Sequence, residues 1–163
     1  MKRIYHQKTI LIDAAPEHVF DIIYTMPKKF PVYRLMETRP FLFIRLLLVN
    51  GPRPAIEGVK TGLPADMLEL KPGDAMGPFT LSECERPSRY MFTLRSLFFD
   101  CTTGYTIEGQ DGKTSLQFEL DADDPSLAEK TWWFFVKPVH VLFGRKVLKN
   151  IKRMAESSQK EAV

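Results

Sequence analysis

Three histidines, two cysteines and one tight run of acids are the residues of this chain whose types could do chemistry. His6, His18 and His140 stand in no HExxH or related spacing, so they do not converge on a metal by local sequence. Asp121, Asp123 and Asp124 invite a cation, but a strand end followed by a helix cap accounts for them, and no metal is expected. Cys84 and Cys101 have no histidine near them in sequence to activate a thiolate. There is no GxSxG elbow, no phosphate-cradling glycine loop and no GxGxxG. His140 is the one candidate for acid–base work: beside Val136, Val139 and Phe143, it could orient a ligand or move a proton. The plainer reading, a hydrogen-bonded histidine at the edge of the core, comes first. No catalytic residue is therefore assigned, and no cofactor is expected. His6 shares strand parity with Ile10 and Ile12 and can also face inward.

The elements that would position these residues follow from patterning. Residues 4–12 favour a strand, with Thr9, Ile10 and Ile12 preferring extended backbone. Pro16 suits a first helical position and Glu17 the helix dipole, while Val19, Phe20, Ile22 and Ile23 make an apolar side. Pro27 and Pro31 are expected to end this helix. The run Phe41–Val49 is either a short buried helix or a strand, because almost every residue in it is apolar. With Arg34, Arg39, Arg45 and Arg53 nearby, it also has the composition of a lid or a membrane-touching surface.

From Met67 the period becomes two. Leu68 and Leu70, Phe79 and Leu81, Tyr90, Phe92 and Leu94, Tyr105 and Ile107, then Leu116, Phe118 and Leu120 alternate with polar neighbours. Turns at Pro72-Gly73-Asp74, Arg86-Pro87-Ser88 and Asp111-Gly112 separate these runs and predict an antiparallel meander with one wet and one dry face. A final helix opens at Asp124-Pro125, or at the capping box Ser126 to Glu129, and runs to about Ser157, beyond which the tail is expected to fray. Its apolar stripe reads Ala128, Trp132, Phe135, Val139, Phe143, Val147, Ile151 and Met154. A kink or break is expected at Pro138.

Length and composition set the remaining bounds. The 163 residues, 44% of them hydrophobic, fit one domain spanning 1–163. No secretory h-region follows the basic start, so a cytoplasmic location is expected, and no run is long enough to span a bilayer. Two cysteines suggest two reduced thiols, with a single bridge left open because their strands could be neighbours. Residues 1–60 carry 10 basic and 5 acidic side chains, 61–130 carry 6 and 13, and 131–163 carry 7 and 2. That pattern suits internal complementarity better than a nucleic-acid surface, and no nucleic-acid partner is expected.

Three places carry a resemblance to a known family: Ile10 to Ile23, the turn and strand from Lys71-Pro72-Gly73-Asp74 to Leu81, and Trp132 to Leu148. Together with the element order, they resemble the START-like superfamily (SRPBCC), which includes Bet v 1-type allergens and polyketide cyclases. The resemblance implies an α+β helix-grip fold: a curved antiparallel sheet wrapped around a long C-terminal helix, with a cavity between them. It further implies a small hydrophobic ligand, such as a lipid or a polyketide-like or aromatic molecule, bound without catalysis. The expected lining is Phe79, Leu81, Phe92, Leu94, Tyr105, Ile107, Phe118, Trp132, Phe135, Val139 and His140. A cyclase or dehydratase-like enzyme is the alternative. A membrane-contacting lipid shuttle or interaction module, using Phe41–Val49, comes after it. The sequence gives no oligomeric state.

Overall fold

The computed structural model describes residues 3–29, 43–44, 47, 51–53, 55–56, 70–76, 79–95 and 100–161. Strand β1 (Arg3–Ile12) leads into helix α1 (Pro16–Lys29). Five further strands follow: β2 (Ala75–Met76), β3 (Phe79–Glu85), β4 (Arg89–Arg95), β5 (Asp100–Gln110) and β6 (Lys113–Asp123). Helix α2 (Leu127–Glu161) closes the order. The strands form one antiparallel sheet in the order β1-β6-β5-β4-β3-β2, so the first and last long strands of the chain pair with each other.

Local chemistry explains the turns. Asp111 and Gly112 both have positive φ (48° and 76°), the two-residue geometry whose twist matches the strands it joins. Gly73, at φ 102°, closes the turn before β2. There the Asp74 carboxylate accepts from the Lys71 N–H at 2.7 Å. Leu70 and Lys71 precede that turn outside any strand, and the expected strand start at Met67 and Leu68 lies outside the described residues. A bulge between Leu81 and Glu83 shifts the parity of β3, so that Cys84 rather than Glu83 faces inward, opposite Tyr90.

The sheet has the expected dry and wet faces. On the wet face, Gln7 donates to Gln117 at 2.7 Å, Thr106 to Glu119 at 3.1 Å, and Arg89 pairs with Glu83 at 3.2 Å. Met91 is the exception: it is buried on this face because Gly104 beside it has no Cβ, and a methyl there would lie 2.9 Å from the Met91 sulfur. The dry face packs on α1 and α2. Ile12, Val19, Phe20, Ile23, Leu81, Leu116, Leu148 and Ile151 form its main core. Thr114 is fully buried and donates to the Ala14 carbonyl at 2.6 Å, which pins the β1–α1 turn to β6.

Each helix contains a proline that does not break it. Helix α1 continues past Pro27 to Lys29, short of Pro31. Helix α2 is one element through Pro138, and it continues past Ser157 to Glu161. Its start is set by the capping box: Glu129 N–H donates to Ser126 Oγ at 3.2 Å, and Ser126 N–H to the Glu129 carboxylate at 2.7 Å. Asp124 has left the strand at φ 45° and is not the cap. Most of Phe41–Val49 lies outside the described residues. Within it Phe43, Ile44 and Leu47 are helical, with Ile44 and Leu47 exposed.

Candidate functional site

α2 runs alongside β1 in the same direction. Its last turns are tied to the end of β1, with Lys152 donating to the Leu11 carbonyl at 2.8 Å. Its first turns therefore lie over the beginning of β1. Strand alternation puts His6 and Lys8 on the dry face there, opposite Leu120 and Phe118 of β6. On α2 the face that meets them carries Trp133, Val136 and His140, at spacings of three and four.

Here side chains far apart in sequence form a polar-aromatic cluster. The rings of His6 and His140 meet edge to face at 5.2 Å. Trp133 lies 5.3 Å from His140 and 6.4 Å from His6. Phe118 stacks on His140 at 5.4 Å, and Tyr105 and Phe143 approach Phe118 at 5.5 and 6.1 Å. Gly144 permits this approach: a Cβ there would sit 3.0 Å from Phe118 Cδ1.

His6 has an unusual environment. Its Nδ1 is buried and has no hydrogen-bond partner. Burial first, then the charges of Lys137 and Lys8, hold its pKa below the ordinary 6.5, so the ring is neutral at neutral pH. A buried polar nitrogen left unpartnered costs about 1–3 kcal/mol, and such groups in native proteins call for an explanation. A neutral imidazole can accept or donate one hydrogen bond to a ligand hydroxyl or carbonyl.

The other candidate chemistry is absorbed by structure. His18 makes a 2.8 Å hydrogen bond with Ser158 and joins α1 to α2. Arg3 donates from Nε to Asp121 at 2.6 Å and also pairs with Asp123 at 3.5 Å. Among the described residues no group of three or more His, Cys, Asp or Glu could hold a metal ion. Both cysteines are free thiols, facing Tyr90 and Leu94 at separate places along β4. Burial, followed by Asp100 and Asp121, pushes the Cys101 thiol up to about 12, and burial also raises Cys84. Protonated, buried thiols are poor nucleophiles.

The residues expected to line a pocket divide into three groups. Leu81 and Ile107 belong to the main core, with Phe92 and Tyr105 half-buried against it. Leu94 joins a smaller cluster with Ile4, Cys101, Leu120 and Trp133, against which Phe79 and Trp132 pack. Phe118, Tyr105 and His140 meet in the aromatic cluster, and Val139 is half-buried nearby in sequence. Phe135 is a correction: it is 70% exposed and points away from the sheet. A stripe that steps by four residues advances 400° per step and drifts 40° around the helix each time. Counted back from Ile151 through Val147, Phe143 and Val139, it reaches the wrong side by Phe135. The true inward line mixes threes and fours through Ile151, Val147, Gly144, His140, Val136 and Trp133. Trp133 and Lys8 had no distinguishing signal in sequence beyond parity and phase.

No protein-family model matches the chain, and no curated protein matches it. Among solved structures it is similar to protein Ms6760 from Mycobacterium smegmatis, at TM-score 0.56 and 14% identity, covering 94% of this chain and 92% of that one. CalU16 from Micromonospora echinospora and TTHA0849 from Thermus thermophilus align at TM-score 0.43 and 12% identity each. Those two alignments cover 96% and 95% of this chain, and 94% and 99% of theirs. The fold is α+β helix-grip. A curved antiparallel sheet holds one long C-terminal helix, and the polar-aromatic cluster sits where the helix-grip sheet meets the first turns of that helix. Among the described residues no helix is long and apolar enough to cross a membrane.

Proposed function

We propose that this helix-grip chain is a START-like binding protein that takes a small, largely apolar molecule between the dry face of the sheet and α2. The observation that carries this reading is His6 Nδ1: buried, without a partner, and set among the rings of His140, Trp133 and Phe118. Apolar walls with a few placed polar groups are the usual chemistry of small-molecule sites. The ligand would present a flat or unsaturated body to Trp133, Phe118 and Phe143 and one hydroxyl or carbonyl to His6. Burial would contribute about 25 cal/mol per Å² of apolar surface before ordering costs.

Native mass spectrometry of the purified protein, compared with its denatured mass, tests this. A reproducible extra mass, or a raised Tm with members of a hydrophobic library, is expected. His6→Leu should weaken that binding. A protein that no such compound stabilises, and that carries no added mass, would overturn the reading.

The edge-to-face pair of His6 and His140 favours a second reading, a cyclase or dehydratase-like enzyme in which one imidazole moves a proton and the aromatic walls position the substrate. Here His140→Ala would abolish turnover while leaving ligand affinity intact. Unchanged turnover would remove His140 from the chemistry.

A further inference from the structure

The outward side of α2 is at odds with an ordinary solvated helix. Leu127 is 81% exposed, Phe134 74%, Phe135 70% and Leu142 54%. With Pro138 they fall on one helical face, opposite Val136, Gly144 and Val147, and extend about 22 Å along the axis. Phe134 and Phe135 contact each other edge to face at 5.5 Å. Scattered exposed apolar residues need no explanation, but a contiguous patch of several large ones marks a contact surface.

Charge says what kind of surface it meets. Between Glu129 and Glu156 the chain has no acidic residue and, beyond Lys130, six lysines and arginines. Arg145, Lys146 and Lys149 are exposed on the turns that directly follow Leu142, and Lys137 is exposed beside the aromatic pair. Lys152 and Arg153 are engaged with Leu11, Glu156 and Asn150 and are set aside from the docking face. Exposed phenylalanine and leucine flanked by lysine and arginine, on a helix stretch without acids, is the pattern of an element lying in the headgroup layer of a bilayer. Basic side chains near an anionic leaflet are attracted to it, and the phenyl rings add apolar burial. Two copies of this face brought together would instead oppose like charges.

We infer that the outward face of α2 docks on an anionic membrane surface, with Phe134, Phe135 and Leu142 entering the interface and Arg145 and Lys149 meeting lipid phosphates. Such docking is separate from ligand binding and does not depend on it. This contact is on α2; most of the Phe41–Val49 run lies outside the described residues.

Co-sedimentation with phosphatidylcholine vesicles, with and without about 30 mol% phosphatidylserine, tests it. Binding is expected to the anionic vesicles and to fall as salt rises. The double variant Phe134→Ser/Phe135→Ser and the double variant Arg145→Glu/Lys149→Glu should each lose about tenfold or more in vesicle affinity. Because all four side chains are exposed, both should keep the parent's Tm and circular dichroism. If a variant does not, the single substitutions Phe135→Ser and Lys149→Glu replace it. Absence of binding to either vesicle, or binding that none of these variants weakens, would overturn the proposal. So would a concentration-dependent dimer that Phe134→Ser/Phe135→Ser dissolves in the absence of vesicle binding, since it would assign the face to a second copy of the chain.

Discussion

The two ends of α2 rest on the same sheet in different ways. At its C-terminal end, Val147, Leu148, Ile151 and Ala155 meet Ile12, Val19, Phe20 and Ile23, and every one of these side chains is at most 2% exposed. At its N-terminal end, Trp133 and His140 meet His6, with Lys8 and Lys137 close enough to act on its charge. Helix α1 is the difference: its His18 bonds to Ser158 near the end of α2, and its apolar side completes the core there. One end is built for cohesion. The other keeps polar atoms where cohesion alone would have selected leucine, and that departure is where a ligand reading has physical content.

The contrast between the two ends is tested hardest at Phe20. This ring is 1% exposed, lies 6.1 Å from Tyr90, and has the Arg86 guanidinium 5.2 Å over its face. Phe20→Ala should cost about 3–5 kcal/mol, read as a lower urea midpoint at unchanged slope. If His6→Leu costs as much, the two ends are not different in kind.

A smaller loss is expected at the start of α2. Ser126→Ala removes the hydroxyl that accepts from Glu129 N–H, which should cost about 1 kcal/mol by urea unfolding at neutral pH. The Ser126 hydroxyl first, then the Ser126 backbone N–H, hold the Glu129 carboxyl below its ordinary 4.5. A carboxylate with a depressed pKa stabilises the fold above its unfolded value and loses that contribution as pH falls through its folded one. The difference between parent and variant should therefore shrink in acid. A constant difference would mean the box is not set by the carboxylate.

How far the sequence reached follows the same division. The Asp111-Gly112 hairpin, the alternation of Leu116, Phe118 and Leu120, and the Ser126–Glu129 box are local signals, and each appears in the fold. The phase of α2 was not local. Trp132, Trp133, Phe134 and Phe135 cover most of a helix circumference, so hydrophobicity could not say which of them faces the sheet. Packing decided for Trp133, and the choice exposed Phe134 and Phe135. The meeting of His6 with His140 required both the strand parity of β1 and that phase. Parity was readable from Ile10 and Ile12; the phase was not.

Gly144→Ala separates stability from site geometry at the aromatic end. Alanine gains about 1 kcal/mol of helix propensity over glycine, while its methyl must displace Phe118 from 3.0 Å by a few tenths of an ångström. The net change in stability should stay within about 1 kcal/mol. The near-ultraviolet dichroism of the ring cluster and any ligand-induced rise in Tm should nonetheless change. Unaltered ligand stabilisation would place the ligand away from Phe118.

The smallest effect is a slope. The His6 pKa lies below its unfolded value of 6.5, so over the interval between the two the unfolded chain binds more protons. Above 6.5 both states are neutral at this ring and its contribution is constant. As pH falls below that value toward the folded pKa, stability is lost, and beneath the folded pKa the loss is complete. Burial comes first, and the charged groups that act on His6 are Lys137 across on α2 and Lys8 on its own strand; the His140 ring lies against it at 5.2 Å. His6→Leu removes both the unpartnered Nδ1 and the titration. At neutral pH it should leave the urea midpoint unchanged or raise it, because the buried nitrogen no longer costs its hydration. Between neutral pH and about pH 5 it should lose less stability than the parent. A variant that tracks the parent's acid slope would show that His6 is hydrated in solution, and the polar end of the site would then fall to His140 alone.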